Sequence, residues 1–105
     1  MIAREWRART EDEQAAEAYR RVFATEVAAG LREVDGFRRG YLLARPDHDS
    51  VEIRTLTLFD SLESVRGFAG DGYRNEHVTP AARAVLLGSD SFIHHFTVLT
   101  TLTPD

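Results

Sequence analysis

The sequence predicts an α+β fold in which a split β-α-β arrangement places helices on one face of a four-stranded antiparallel sheet. Three observations predict it. Stretches of alternating polar and apolar residues recur along the chain, a long amphipathic helical pattern follows the first of them, and a turn-rich stretch joins two of them directly. The 105 residues have the length of one domain with a substantial core, so we expect a single domain over residues 1–105.

The composition excludes several classes of function. The hydrophobic share of 43% and the charged share of 29% are those of a soluble globular protein. A net charge of −4 disfavours nucleic acids and anionic membranes as partners, since both attract basic proteins. Cysteine and lysine are absent, which removes thiol, iron–sulfur and Schiff-base chemistry. The N-terminus lacks the apolar core of a signal peptide and no long apolar stretch follows, so we expect a cytoplasmic protein.

The first half of the chain is predicted to form a strand, a long helix and a second strand. Apolar and charged residues alternate over Ile2–Ala8, as in a strand. The sequence TEDE, from Thr10, is typical of a capping box that starts a helix. Apolar residues then recur every three or four positions. These residues are Ala15, Tyr19, Val22, Phe23, Val27, Leu31 and Val34. Asp35-Gly36 predicts the end of this helix, and the second strand follows over Phe37–Arg45.

The second half is predicted to complete the sheet and to add two short helices. Pro46–Ser50 is dense in turn formers and joins the second strand to a third, over Val51–Phe59, as a hairpin. Asp60 opens a capping box, DSLE, of a second helix. Thr79-Pro80 is typical of the start of a third helix. Alternation over Ser91–Leu102 predicts the last strand, and the resulting order is that of ferredoxin-like folds.

The third strand is apolar on both faces, and this determines the expected assembly. Leu56 and Leu58 form the more apolar face, which we expect to pack under the helices. The opposite face, which runs from Ile53 to Phe59, is semi-polar but still too apolar to remain in water. A second copy of the chain is the simplest cover, so we expect a homodimer with a small ligand between the two faces.

Four stretches of the chain resemble one known family. They are IAREW at Ile2–Trp6, DGFRRGYLL in the second strand, LTLFDSLESVRGFAG in the third strand and its helix, and the segment from TPAARAVL to HHFTV. These stretches are similar to the antibiotic biosynthesis monooxygenase-like (ABM) family, whose members form dimeric α+β barrels. The resemblance covers nearly the whole chain and implies this fold, with a homodimer in which two open sheet faces pack together.

The resemblance implies more than one function, because the family holds cofactor-independent quinone-forming monooxygenases, haem-degrading enzymes and members without known activity. We expect first a cofactor-independent monooxygenase-like protein that acts on a flat aromatic or polyketide-type small molecule. The alternatives are a haem-binding or haem-degrading monooxygenase and a non-catalytic small-molecule-binding dimer. Quinone-forming members often carry a tryptophan and a side-chain amide where this chain has Phe59 and Thr55, so the first function needs hydrogen-bond donors from other residues.

Arg4, His77 and His95 are the candidate catalytic residues. Arg4 would clamp a phenolate or carboxylate, and either histidine would accept the substrate proton. His77 stands where many relatives carry a histidine, and in the haem alternative it would be the axial ligand. A flat ligand would contact a set of mostly aromatic side chains. The residues of this set are Trp6, Tyr41, Thr55, Phe59, Phe68 and Tyr73.

The candidates also have structural interpretations. Arg4 can be a buried arginine paired with Glu52 or Asp90, and aromatic residues at strand spacing are often part of a core. The two adjacent histidines of the last strand face opposite ways, so only one lines a pocket. The more apolar phase of that strand puts Phe96 under the helices and turns His95 toward the dimer barrel; the opposite phase stays open. Acidic and histidine residues at the hairpin tip are typical of a solvated turn, so no metal site is expected.

Overall fold

A computed structural model describes residues 1–105. Its helices and strands follow the predicted succession, with a π-helical segment inside the long helix. The elements are β1 (Ile2–Thr10), α1 (Glu13–Val22), the π-helical segment (Phe23–Val27), α2 (Ala28–Arg32), β2 (Phe37–Asp47), β3 (Ser50–Phe59), α3 (Leu62–Ala69), α4 (Pro80–Arg83), β4 (Gly88–Ser89) and β5 (His94–Thr97).

The strands form one antiparallel sheet in the order β2-β3-β1-β4, with β5 also paired to β1. β4 pairs with Ala8 and Arg9, whereas β5 pairs with residues 2–5 of β1. The two short strands therefore share the fourth position of the sheet. The predicted α+β class, the split β-α-β arrangement and the ferredoxin-like strand order are confirmed.

The last strand differs most from its prediction. The sequence predicts one strand over Ser91–Leu102, whereas β5 covers His94–Thr97 and no regular element follows it. Before β5 the backbone bonds to the loop that precedes α4 instead of β1, since the Ile93 N–H donates to the Arg74 carbonyl at 2.7 Å. Alternation of residues cannot locate this change, because both pairings use extended backbone.

The prediction of which face of β3 packs under the helices, here called the phase of the strand, is wrong. Phe59 and Ile53 are buried under the helices, with exposed fractions of 0% and 1%, whereas Leu56 and Leu58 lie half-buried on the opposite face. The Ile53–Phe59 side carries the bulkier apolar groups, and the hydroxyl between them is satisfied because Thr57 donates to a backbone carbonyl of β1. The leucine side is therefore the open face of the sheet.

The predicted phase of the last strand is also wrong, and the phase that was left open is the one observed. The register of β1 and β5 places His95 beside Arg4 and Phe96 beside Ala3. Because Arg4 is buried on the helix side, His95 lies there too, and it does not face the expected dimer barrel. Phe96 lies on the open face and is 54% exposed.

Two predicted helix caps are displaced and one is confirmed. The N-cap of α1 is Asp12, while Thr10 ends β1 and is fully buried. The N-cap of α3 is Ser61, and the neighbouring Asp60 instead forms an ion pair on the surface. Thr79 caps α4 and is followed by the predicted first-turn proline. Each displaced prediction chose a capping residue one or two positions too early, because several residues with capping side chains stand in succession.

The turns were largely predictable. The long helix ends at Arg32, with Glu33 as its C-cap, which is earlier than the predicted end at Asp35-Gly36. Gly36 lies in the turn before β2 with a φ of 89°, a left-handed conformation that glycine adopts without strain. The hairpin between β2 and β3 is tighter than predicted, because the strands extend to Asp47 and from Ser50. None of the helices has the length and apolar character needed to cross a bilayer.

The core consists of two clusters on the helix side of the sheet. The first cluster contains Trp6, Ala8, Tyr19, Ile53, Ala82 and Ile93. The second contains Leu31, Phe59, Val65 and Tyr73. The clusters are separate because a cavity lies between them, lined by residues from both.

Candidate functional site

A cavity of about 510 Å³ lies between the helices and the sheet, which is within the usual range for small-molecule sites. Its floor is formed by β1 and β3, including Thr55 and Thr57. One wall is the long helix, and the rim is the loop between α3 and α4. More than half of its twenty lining residues are hydrophobic, so polar groups that reach it are poorly solvated.

The helical wall includes the π-helical segment. Within this segment Phe23, Glu26 and Val27 line the cavity. A π-helical turn is rare and frequently occurs at functional sites, because it alters the direction of side chains over a short stretch. The sequence pattern contained no signal for it, since the apolar stripe continues through the segment at three- and four-residue spacing.

Arg4 is the buried cation of the cavity floor. The residue is 8% exposed, and none of the ion pairs in the protein includes it. Its Nη1 donates to the Tyr73 carbonyl at 2.7 Å and to His95 Nε2 at 3.0 Å. The predicted partners are engaged elsewhere, because Asp90 pairs with Arg7 and Glu52 with two other arginines. The charge of Arg4 thus has no carboxylate beside it.

The remaining N–H groups of Arg4 reach the cavity. Nε and Nη2 of Arg4 have no acceptor in the protein. Every side-chain nitrogen or oxygen that is shielded from solvent does have a hydrogen-bond partner. These two nitrogens are therefore the accessible part of the side chain, and Arg4 lines the cavity. Burial lowers the pKa of Arg4 to about 10, so the guanidinium stays charged at neutral pH.

His95 lies behind Arg4 and does not line the cavity. Because Arg4 can only donate, His95 Nε2 must accept, so the ring proton resides on Nδ1. Burial, together with the neighbouring charge of Arg4, lowers the pKa of His95 to about 4. The imidazole is neutral at pH 7, and its lone pair is already occupied by the guanidinium.

His77 lies on the rim of the cavity. It is exposed, and its imidazole makes no hydrogen bond within the protein. A ligand in the cavity can therefore meet an unoccupied imidazole nitrogen at the entrance. Of the two candidate histidines, His77 is the one whose ring nitrogens have no hydrogen-bond partner in the protein and that lines the cavity.

Trp6 and two carboxylates complete the polar surroundings. The indole N–H of Trp6 donates to Glu76 Oε2 at 3.0 Å and to the Asp90 carbonyl at 3.1 Å. Glu26 accepts a hydrogen bond from Thr79 at 2.5 Å, which links the π-helical segment to the cap of α4 across the rim. These two hydrogen bonds hold the indole in place, and Trp6 lines the cavity.

Five of the predicted site residues line the cavity together. They are Arg4, Trp6, Thr55, Phe68 and His77. Two others, His95 and Tyr73, contact Arg4 from behind. Phe59 is fully buried in the second core cluster, and Tyr41 lies on the open face of the sheet at 41% exposure. Phe59 lies on the helix side of β3 but is packed into the core away from the cavity, whereas Tyr41 pairs with Leu56 on the opposite face.

Five polar lining residues were missed by sequence reasoning: Glu26, Thr57, Asn75, Glu76 and Thr79. Glu76 and Asn75 directly precede His77, so the polar run before the cap of α4 was an available signal. Glu26 does not belong to the predicted apolar stripe of the long helix. It lies in the π-helical segment and lines the cavity.

Comparison with known proteins gives matches among solved structures. No protein-family model and no curated protein matches the sequence. SnoaB from Streptomyces nogalater, a cofactor-independent oxygenase, superposes with a TM-score of 0.59 at 25% identity, over 99% of this chain and 100% of that one. The monooxygenase ActVA-Orf6 of Streptomyces coelicolor, in complex with nanaomycin D, gives a TM-score of 0.69 at 15% identity, over 99% and 92%.

A third match is a haem-handling protein. The heme-degrader MhuD from Mycobacterium tuberculosis, with two hemes in its active site, gives a TM-score of 0.64 at 19% identity, over 98% of this chain and 100% of that one. Structures of monooxygenases and of a haem degrader therefore superpose on the entire chain. The protein has the fold of the ABM-like monooxygenases, as the stretches from IAREW to HHFTV predicted.

Proposed function

We propose that the protein is a cofactor-independent monooxygenase-like enzyme that acts on a flat aromatic anion. The observation that carries this proposal is Arg4, a buried cation without a carboxylate partner on the floor of a mostly apolar cavity. Burying a charge is costly unless it is paired, so a bound anion is the natural complement of this guanidinium. The 25% identity with SnoaB, a cofactor-independent oxygenase, supports the same reaction class.

The proposed reaction uses the electrons of the substrate. A phenol with an adjacent activated CH₂ group loses a proton to His77, and Arg4 stabilises the resulting oxyanion. The carbanion form reduces O₂; one oxygen atom forms the new C=O bond at the former CH₂ carbon, and the other leaves as water with the two hydrogens of that carbon. The four-electron reduction of O₂ is thereby balanced by oxidation of CH₂ to C=O.

The cavity supplies alternatives to the donors that this chain lacks at Phe59 and Thr55. Arg4, with its unbonded N–H groups, and Thr55, whose hydroxyl has no hydrogen-bond partner in the protein, both line the cavity. Trp6 and Phe68 are positioned to flank a planar ring, with Phe68 also lying 5.9 Å from the Arg4 guanidinium. The apolar walls keep water away from the reacting anion.

Oxygen consumption with an anthrone-type phenol tests the proposal. We expect turnover by the unmodified protein, about 100-fold slower turnover by Arg4→Gln, and a similar loss in His77→Gln. His48→Gln is the matched control, since His48 lies at the hairpin tip and is 97% exposed. Equal rates in His77→Gln and His48→Gln would exclude His77 as the base, and an inert unmodified protein would exclude the reaction.

Haem binding is a second candidate, and the unbonded imidazole of His77 favours it. His77 at the entrance would ligate the iron, and Arg4 would hold a propionate inside the cavity. Bound haem would supply the oxygen chemistry. Titration with haemin should then give a Soret band that disappears in His77→Ala and persists in His48→Ala. Neither a Soret band nor oxygen consumption would leave a non-catalytic binding protein, the third alternative.

We infer that the partner on the open face of the sheet is a second copy of the chain. This face exposes Tyr41, Leu43 and Phe96 at 41%, 46% and 54%, and beside them carries both arginines and glutamates. A patch with both signs of charge is complementary to its own copy about a two-fold axis. Light scattering should give the mass of a dimer, and Leu43→Asp should give a monomer, whereas Leu102→Asp in the C-terminal tail should not. An unmodified monomer would contradict this inference.

A further inference from the structure

The free edge of Arg4 has the shape of a carboxylate. A guanidinium carries five N–H groups, and Nη1 uses its own on Tyr73 and His95. The remaining edge joins Nε and Nη2, whose N–H groups point in parallel toward the cavity. Two parallel donors match the two oxygens of a carboxylate, whereas a simple phenolate offers a single oxygen.

The arginine is held in this orientation before a ligand arrives. Tyr73 is 4% exposed, so its carbonyl is a fixed acceptor. His95 is held opposite Arg4 by the pairing of β1 and β5, and its ring packs edge-on against Tyr73 with centroids 5.2 Å apart. Both acceptors bond the same nitrogen. Together they fix the rotation of the guanidinium and leave its opposite edge free.

The carboxylates near the cavity do not compete for this edge. Glu26 is bonded by Thr79, and Glu76 is bonded by Trp6 and Arg83. Neither lies within ion-pair distance of Arg4. No carboxylate of the protein therefore competes with a ligand carboxylate for this edge of Arg4.

We propose that Arg4 binds a carboxylate group of the ligand through its Nε and Nη2 edge, and that His95 is the positioning residue that presents this edge. The proposal rests on the proposed function and deepens it, since it adds a carboxylate group of the ligand to the phenolate oxygen as an anion that this edge of Arg4 accepts. The same chemistry is present in an aromatic carboxylic acid and in the propionate of a porphyrin. His95 acts only through Arg4 and does not touch the ligand.

Calorimetric titration with 2-naphthoate and its uncharged isostere 2-naphthamide, without turnover, tests the carboxylate subsite. We expect the unmodified protein to prefer the carboxylate by about 10- to 100-fold, as charged hydrogen bonds allow. Arg4→Gln should bind both compounds equally. Arg4→Lys keeps the charge but loses the fork, and should retain only a small part of the preference. Equal binding of the two compounds by the unmodified protein would overturn the proposal.

The positioning role has its own variants. His95→Gln keeps a hydrogen-bond acceptor beside Arg4 and should retain the preference for 2-naphthoate. His95→Phe should lose about tenfold in affinity for 2-naphthoate and nothing for 2-naphthamide, with an unchanged circular dichroism spectrum. A preference in His95→Phe equal to that of the unmodified protein would overturn the role. If His95→Phe does not fold, His95→Gln provides the test. This variant keeps the acceptor, so loss of its preference for 2-naphthoate would contradict the positioning role of His95.

The two sources of a carboxylate are separated by haemin and its dimethyl ester. Tight binding of haemin, with loss in the ester and in Arg4→Gln, identifies a propionate. Binding of 2-naphthoate without haemin uptake identifies a smaller aromatic acid. Either result supports the carboxylate subsite even if no oxygen is consumed, so failure of the oxygenase reaction and failure of this subsite are distinguishable.

Discussion

Arg4 and Arg7 stand three residues apart on β1, on opposite faces of the sheet, and they differ in what neutralises their charge. Arg7 is on the open face and bonds the carboxylate of Asp90 at 2.9 Å. Arg4 is on the helix side and bonds a carbonyl and a neutral imidazole. A carboxylate therefore neutralises the charge of Arg7, whereas no carboxylate of the protein neutralises that of Arg4.

Other charges of the open face are paired in the same way as Arg7. Arg54 lies between Glu5 and Glu52, and Arg45 pairs with Glu52 as well. Ion pairs on an accessible surface contribute little individually. Arg9 and Arg39 have no ion pair, but both are exposed. Arg4 is therefore the arginine of the sheet that is both buried and without a carboxylate.

The largest expected contrast between the faces is in stability. Phe59→Ala removes a fully buried ring from the helix side and should lower the free energy of unfolding by about 3–5 kcal/mol. Phe96→Ala removes the same side chain from the open face and should cost less than about 1 kcal/mol in dilute protein. Urea unfolding measures both. Equal losses would contradict the assignment of the faces, and a loss for Phe96→Ala that grows with protein concentration would indicate the dimer.

A second contrast is in ligand affinity. Arg4→Gln should weaken binding of 2-naphthoate by about tenfold or more, because it removes charged hydrogen bonds inside the cavity. Arg7→Gln removes an arginine of the same strand and should leave the affinity unchanged. Calorimetry compares the two variants. A similar weakening in both would mean that the overall charge of the sheet, and not the free edge of Arg4, attracts the anion.

A third contrast is in the pH dependence of stability. Burial and the charge of Arg4 lower the pKa of His95 from 6.5 to about 4. The unfolded chain therefore binds a proton at this residue between these two pH values while the folded chain does not, so stability falls as the pH decreases through this window. With allowance for the partial exposure of the ring, we expect the contribution to be about 1 kcal/mol.

Urea unfolding at pH 7 and pH 5 measures this contribution. His95→Gln should lose less stability between the two pH values than the unmodified protein does. His94→Gln, on the open face, should keep the full decrease. Identical decreases in the unmodified protein and in His95→Gln would contradict the low pKa of His95.

The smallest expected effect concerns the charges of the open face. Arg54 contacts Glu5 and Glu52 at 3.5 and 3.4 Å and its side chain is 31% exposed. Arg54→Met should change the free energy of unfolding by at most about 1 kcal/mol, and 1 M NaCl should reduce the difference. A larger loss of stability that salt does not reduce would show that the ion pairs of Arg54 have a structural role. Arg4 has no such ion pair.

The order of strands and helices was predictable because alternation, helical periodicity and the glycine and proline turns are local signals. The phase of β3 was not, because both of its faces are apolar and the decision depends on which face the helices cover. Leu56 and Leu58 are more hydrophobic than the two threonines opposite them. The structure nevertheless places the threonines on the helix side and buries Thr57, whose hydroxyl finds a backbone acceptor on β1.

The candidate site was predictable to a similar degree. Arg4 and His77 were recognisable by residue type and resemblance, and both line the cavity. The loss of the expected acidic partners of Arg4 was not foreseeable, because it depends on Arg7 bonding Asp90 across the sheet. Tyr41 was misjudged because residue type alone does not show which face of β2 it occupies, and its pairing with Leu56 places it on the open face.

The π-helical segment has a consequence for how the long helix tolerates change in length. Tyr19 and Leu31 are both buried although they are twelve positions apart, which in a regular α-helix would turn them about 120° away from each other. Eleven positions would bring them within about 20°. The widened turn thus absorbs one surplus residue. A homologue lacking one residue near the exposed Ala24 would keep both core contacts on a regular helix, so an insertion or deletion at this point is compatible with an unchanged fold.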